Sequence, residues 1–531
     1  MTNLLSKDEE TTSATARRNG HARENPGAAA EAAAQEMAEA TDPNMMGGMG
    51  MEPAVEAEVA RSADEELSPD ERKLVGRQVF RLAWPAIAEN ALQTLLGIVD
   101  TAIVARLGNA ALSGVGASQM LLWVLTTALI AVSMGTTVLI ARFIGEGNRR
   151  DANAILKQSL MVSVVVGLLM SPLAFFSDGL MGILGLTPEA AREGSTYLGI
   201  VVAFSILIVI MLVTGAALRG AGDTKTPMFV TGFINIINAL LAVLFVFGGA
   251  KASGIFSDWL SWLAGLVFQG ARIDLPALSW IPEMGVAGAA WATGIARGIG
   301  AAMLLGLFLS RKSPLRLWNR IGWAPNFGLI GRLLKVGIPS ATEQMLMSLG
   351  ILVYSFIVIG MGEVIFATSR LALNAVFLSQ MPGFGFSMAA TTLVGQSLGA
   401  KQPKRAALGS RLATRSALIW MSLMGVAFFF FGETILRIFT DDPELLRLGG
   451  DAMKVIAFSQ PPLALAFVLG GSLRGAGDVR YPMVVTSVAV WIVRIPTGAF
   501  LGLPVVCIPF TDACLPGLNW GLPGIYAALI V

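Results

Sequence analysis

The stretch LRGAGDTKTPM, Leu218–Met228, returns nearly unchanged as LRGAGDVRYPM, Leu473–Met483. Its two arginines, Arg219 and Arg474, stand 255 residues apart. Neighbouring segments repeat at almost the same distance. WPAIAENALQ (Trp84–Gln93) answers IPSATEQMLM (Ile338–Met347), pairing Pro85 with Pro339 and Glu89 with Glu343 at an offset of 254. MGTTVLIARFIGEG from Met134 answers MAATTLVGQSLGAK from Met388, so Gly145 pairs with Gly399 at that same offset of 254. Farther on, GVAGAAWAT from Gly285 answers GLPGIYAAL from Gly521 at an offset of 236; the shift reflects extra residues in the first half, roughly Lys251–Pro282. A near-constant offset over so many segments marks an internal duplication. Within the repeated phrase, Gly220 and Gly222 permit unusual backbone angles. Asp223 or Thr226 can cap the following helix, and Pro227 suits its first turn. Asp478 and Pro482 repeat the arrangement, and Arg219 and Arg474 are expected to snorkel to the membrane surface. The phrase reads as a tight turn between helices, structural in itself.

What is duplicated follows from composition. The chain is 54% hydrophobic and 14% charged, with a mean hydropathy of +0.67; a soluble domain carries roughly 25% charged residues. So much apolar surface needs lipid as its solvent. From Val79 onward, apolar runs long enough to cross about 30 Å of hydrocarbon recur. They lie near 80–106, 111–143, 154–177, 193–218, 227–249 and 285–310, then near 331–361, 365–397, 407–432, 448–472 and 482–505, with a twelfth starting at Gly521. Basic residues cluster in alternate loops: Arg72, Lys73, Arg77 and Arg81 before the first span, Arg149 and Arg150 after the second, Arg316 and Arg320 after the sixth, Lys401, Lys404 and Arg405 after the eighth. The opposite loops hold Asp178, Glu363, Asp441, Asp442, Glu444 and Asp512. By the positive-inside rule the basic side, and the N-terminus with it, is cytoplasmic. Six spans per unit is an even number, so the halves are parallel repeats about an axis along the membrane normal. That is a transporter design, with substrate held between the bundles.

The expected organisation is a disordered cytoplasmic tail over 1–74, a six-helix lobe over 75–310 with an inserted extracytoplasmic loop at 251–282, a cytoplasmic linker at 311–330, and a second lobe over 331–531. The tail, with EAAAQEMAEA and NMMGGMGM, lacks the apolar content to offset ordering entropy, and no cleavable signal peptide is read in it. Trp259, Trp262 and Trp280 suggest an amphipathic stretch at the outer interface. Val531 matches Ile295 in mid-helix, so the last helix is expected to be incomplete in this chain. The only histidine, His21, lies in the tail, and Cys507 and Cys514 are either two apolar thiols or a disulfide on an oxidising side; no His/Cys metal spacing is present. A net charge of +2 gives no reason to expect a nucleic-acid partner.

The duplicated RGAGD-x-x-x-P turn, IVDTAIVARLG of the first span, GAAWAT of the sixth, IPSATEQ of the seventh and PGFGFSMAATTLVGQSLGA of the eighth resemble the multidrug and toxic compound extrusion (MATE) family. The resemblance covers about residues 75–531 and implies an all-α polytopic membrane protein. It further implies two six-helix lobes in a V and a cation-coupled exporter of organic, often cationic compounds from the cell membrane, acting as a monomer with no cofactor beyond the coupling ion, H⁺ or Na⁺. It makes Asp100 the cation-responsive carboxylate, supported by Asn235 in the fifth span and Thr293 in the sixth; these three would also be the Na⁺ ligands if sodium is the ion. A second acid, frequent in the family four residues after the asparagine, is replaced by Ala239, with Asn238 beside it. One carboxylate fewer weakens a site for a hard cation, which wants several oxygens, and favours the proton.

Ionisable groups inside spans are costly, about +2.5–3.5 kcal/mol on insertion scales, so each is a functional candidate. A carboxylate shielded from water can exchange a proton for Na⁺ or for a cationic substrate. Besides Asp100, these groups are Glu89 and Glu343, expected to face the central cleft with one acid per lobe, and Arg297 and Arg494, expected to pair with carboxylates or to line a lobe cavity. Asn235 and Asn238 can alternatively bond helix to helix. Gln380, Pro382, Phe384 and Phe386 fall where a bent, cleft-lining helix would be. A lipid-linked oligosaccharide flippase of the same architecture is the alternative; it calls for a strongly cationic cavity. Intramembrane catalytic constellations, zinc motifs and Walker loops are absent from the sequence, which disfavours an enzyme or an ATP-driven pump.

Overall fold

Polar residues at the loop ends fix where helices begin. The computed structural model describes residues 68–267, 280–310, 313–318, 322–507 and 514–530. Ser68 opens α1 (Pro69–Ala105) with a capping box: its hydroxyl accepts from the Glu71 amide at 3.3 Å, and its own amide donates to the Glu71 carboxylate at 3.0 Å. The helix thus starts before the boundary expected at 74. It is followed by α2 (Asn109–Gly145), α3 (Arg149–Met170), a 3₁₀ turn leading to α4 (Ser177–Ile183), then α5 (Pro188–Ala203) and α6 (Ser205–Gly220), which are bent by 57° to each other. Next come α7 (Lys225–Val267) and α8 (Gly285–Leu309). The second repeat comprises α9 (Phe327–Ile359), α10 (Glu363–Gly399), α11 (Pro403–Leu436), α12 (Pro443–Ala476), α13 (Arg480–Val488), a π-helical turn (Ala489–Arg494), α14 (Ile495–Gly502) and α15 (Gly521–Ala527). Among the described residues ten helices are long and apolar enough to cross a bilayer, eleven with the bent pair counted as one.

Two features depart from the plain helical scheme. The stretch read as an inserted loop begins as helix: α7 breaks at Gly248 (φ 74°) and then continues to Val267. Lys251 of this extension pairs with Glu283 at 2.7 Å, and Trp280 is 77% exposed. Near the end, β1 (Val505–Cys507) and β2 (Cys514–Pro516) form a small antiparallel pair in which Cys507 and Cys514 stand opposite each other. The side chains of Trp259, Trp262, Cys507 and Cys514, and the tail up to residue 67, lie outside the described part of the structure.

Helix packing reveals a crossing. The start of α1 (Val75, Val79, Leu82, Ala83) is buried against α10, α11 and α12 of the second repeat, whereas its end (Ile103, Val104) is buried among α2, α5, α7 and α8 of its own. The pseudo-symmetric helix α9 does the reverse: Leu333 sits in the core of the first repeat, and Tyr354 and Val358 in the core of the second. Each repeat's first helix therefore changes partners along its length. The linker also packs on the first repeat, with Leu315 and Leu317 buried in its core. Gln158 of α3 donates to the Gly322 and Ala324 carbonyls at 3.0 and 2.8 Å.

The repeats meet along the halves of α2, α9 and α10 nearest the basic loops. A Cβ on Gly145 would fall on the Gln396 carbonyl, one on Gly399 on the Arg142 carbonyl, and one on Gly337 on the Ala131 carbonyl. Small residues let helix backbones approach this closely in lipid. Gly145→Val is expected to part this face. Ser397, 4% exposed beside it, supplies the gauge: thiol labelling of Ser397→Cys should rise about tenfold or more, the change a closed-state penalty of about 1.4 kcal/mol produces.

Candidate functional site

The duplicated turn is held as the sequence suggested at its tip and differently at its arginine. Gly222 and Gly477 have φ of 88° and 93°, where any side chain would be strained. Asp223 then caps α7, accepting from the Thr226 amide at 3.0 Å, and Asp478 accepts from the Tyr481 amide at 3.1 Å. Arg219 does not snorkel outward. It is 8% exposed and donates to Glu89 at 2.9 Å. Arg474 does the same in the other half, donating to both oxygens of Glu343 at 2.9 and 3.1 Å; Thr486 adds a third bond at 3.2 Å. The two acids expected to stand open to a cleft are therefore each engaged by the arginine of the repeated phrase. A charge taken out of water demands a counter-charge, and the turn supplies it twice. Glu89 keeps one buried oxygen, Oε2, without a partner.

In the first repeat a polar cluster lies toward the other end of the helices. Asp100, half-buried on α1, feels the positive charge of Arg297 on α8. The fully buried Tyr197 on α5 interacts with Asp100, with Thr293 and with Gln119 of α2. Asn238 donates to the Thr293 hydroxyl at 3.3 Å, which in turn donates to the Ala289 carbonyl at 3.1 Å. The carbonyl oxygens of Asn235 and Asn238 and Nε of Arg297 are buried without partners. Asn235 donates to the Leu92 carbonyl at 2.6 Å, two turns of α1 before Asp100, and so ties α7 to α1. The structure thus gathers Asp100, Asn238 and Thr293 and adds Tyr197, Gln119 and Arg297, while Asn235 is engaged elsewhere on α1.

The corresponding place in the second repeat has another chemistry. Tyr354, 254 residues after Asp100, lies beneath the Arg494 guanidinium, 5.2 Å from its ring centroid. Its ring is 6.1 Å from that of Tyr526, whose hydroxyl is 2.8 Å from the Ser369 hydroxyl. Arg494 ends the π-helical turn, a distortion frequent at functional positions. Among the described residues no carboxylate pairs with it; its expected acidic partner is replaced by an aromatic face. Gln380 is buried, and Phe384 stacks on Phe467 at 4.5 Å, which is packing. The tyrosines escaped a search for intramembrane charges, although the offset that pairs Pro85 with Pro339 also points from Asp100 to Tyr354.

A duplicated helical bundle in which lipid-facing apolar surface surrounds a few deep, specifically placed charges defines a multi-pass membrane transporter. The MatE family model matches residues 85–244 and 339–500, one match per repeat, and the chain belongs to that family. It is 34% identical over 434 residues to the probable multidrug resistance protein NorM of Thermotoga maritima, covering 81% of this chain and 87% of that protein. The fold is that of an outward-facing multidrug resistance MATE family transporter of the MOP superfamily, with a TM-score of 0.72 at 19% identity over 88% of this chain and 95% of the other. The Vibrio cholerae MATE transporter VcmN is similar at a TM-score of 0.73 and 17% identity, covering 87% and 94%.

Proposed function

We propose that this protein is a proton-coupled exporter of organic cations, a multidrug efflux protein of the cell membrane with its N-terminus in the cytoplasm. The observation that carries the reading is the setting of Asp100. Among the described residues it is a lone carboxylate among neutral polar groups, with the Arg297 charge nearby, on a helix whose two halves pack on different repeats. A proton needs one carboxylate. Sodium wants several oxygen ligands and no competing cation, whereas the Arg297 charge already stands near Asp100. With Asp100 ionised the cluster can receive a cationic substrate; with it protonated, Arg297 leaves the cluster net positive and repels one. The basic loops favour the cytoplasmic placement of the face on which the repeats meet, so the conformation corresponds to an outward-facing state. Relatives named as multidrug resistance proteins favour export over lipid-linked sugar flipping, and the transporter family gives no support to an enzymatic role.

The test is accumulation of a fluorescent organic cation in vesicles reconstituted with the protein. Acid-inside vesicles are expected to accumulate it, and vesicles loaded with Na⁺ at equal pH are not. Accumulation driven by sodium alone would remove the proton from the mechanism; none under either gradient would remove the exporter reading.

A further inference from the structure

On the basic-loop face, where the repeats meet, a cavity of about 350 Å³ is enclosed by α1, the end of α2, the first duplicated turn, the end of α10 and the start of α11. Two guanidinium groups line it, Arg81 from the first repeat and Arg405 from the second, and among the described residues no carboxylate does. Among the described residues Arg405 is held by neutral oxygens, donating to Gln78 at 2.7 Å and to Gln402 at 3.2 Å. Arg81 has no acidic partner among the described residues. The nearest acids along the chain are otherwise engaged. Glu146, next to the lining residue Gly145, pairs with Arg142 at 3.3 Å, and Asp223, next to Gly222, caps α7. The contrast with Arg219 and Arg474 is direct: those arginines each have a carboxylate, and this pair shares a cavity that no described carboxylate compensates.

We propose that this cavity binds a phosphate group, and that the bound phosphate holds the repeats together on this face. Paired guanidinium forks match tetrahedral oxyanions in charge and geometry. Arg81 lies on the part of α1 that packs on the second repeat, and Gly145, Ala221 and Gly222 of the first repeat close the same cavity, so its full lining exists only while the repeats are in contact and phosphate binding shifts the population toward this conformation. The phosphate belongs either to a lipid headgroup of the adjacent leaflet or to a soluble phosphate compound. The inference rests on the exporter reading above, with this conformation as its outward-facing state, yet its readout is conformation, not efflux.

The test places spin labels at Arg149→Cys on α3 and Ala407→Cys on α11, both exposed on this face, in a Cys507→Ser, Cys514→Ser background. The distance distribution is recorded for the full chain in phosphatidylcholine nanodiscs, with and without inorganic phosphate, and in nanodiscs containing phosphatidic acid. The short-distance population is expected to at least double with one of the two sources, which identifies the source. Arg81→Gln, which removes the charge of an exposed side chain, is expected to abolish the response. A distribution that neither source moves, or a response that survives Arg81→Gln, overturns the inference. Should pH move the labels while phosphate does not, the exporter reading stands and the phosphate site falls.

Discussion

Asp100→Asn is expected to reduce gradient-driven accumulation of the organic cation to the level of protein-free vesicles while leaving the fold intact. Asparagine is nearly isosteric with aspartate, but it neither binds nor releases a proton near neutral pH. The Arg297 charge then stands unopposed in a low-dielectric site, where a positive field is weakly screened. The substrate cation is repelled in every state, so both the exchange step and its driving ion are lost together. Substrate affinity, measured by equilibrium binding across pH, is expected to become pH-independent in the variant, which separates loss of coupling from misfolding. Efflux at the wild-type rate would remove Asp100 from the mechanism. Arg297→Gln is expected to act in the opposite direction on binding: the cation binds more tightly and is released more slowly, so turnover falls without loss of proton dependence.

Glu89→Gln is expected to destabilise the protein by about 3–5 kcal/mol, the cost of leaving a buried charge without its partner. The side chains of Arg219 and Glu89 are only 10% and 7% exposed, so solvent cannot take over the role of the carboxylate. The double variant Glu89→Leu, Arg219→Met removes both charges together and is expected to recover most of the loss, because replacing a whole buried pair by apolar groups is often neutral. Thermal unfolding in detergent of the two singles and the double gives the cycle. The Glu343–Arg474 pair is expected to behave alike, with a smaller loss, since its side chains are 11% and 17% exposed and solvent takes over part of the carboxylate's role. The same double variants separate structure from transport. A stable double variant that still exports places the acids in the scaffold; a stable one that does not export places them in the coupling path.

Much of this was legible in one dimension. The offset between repeated segments located the duplication. Apolar run length and the alternation of basic loops located the helices, and the cost of a charge in lipid singled out Asp100, Glu89, Glu343, Arg297 and Arg494. These signals survive in sequence because each depends on a residue's own transfer free energy or on local spacing. The arginine of the duplicated turn was misread because a long cationic side chain near a helix end can reach either the headgroups or the interior with equal local plausibility. Glu89 lies 130 positions before Arg219, and Glu343 lies 131 before Arg474, and no local rule joins them. The tyrosines were missed because a phenol carries no charge to flag it, and Asn235 was assigned to the cation cluster because its register against α1 is a matter of packing.

The amino-acid sequence by itself determined that the chain is a twofold repeat of membrane-spanning helices with a conspicuous deep carboxylate, Asp100, in the first repeat, since hydrophobicity, periodicity and charge cost are properties of residues and their neighbours. Only the tertiary structure decided that α1 and α9 cross between the repeats, that each turn arginine is spent on a buried glutamate, and that two further arginines face a shared cavity lined by no described acid. Those outcomes depend on which distant surfaces come within a few ångströms of one another, and in a low dielectric that proximity decides whether a charge is neutralised or left to act.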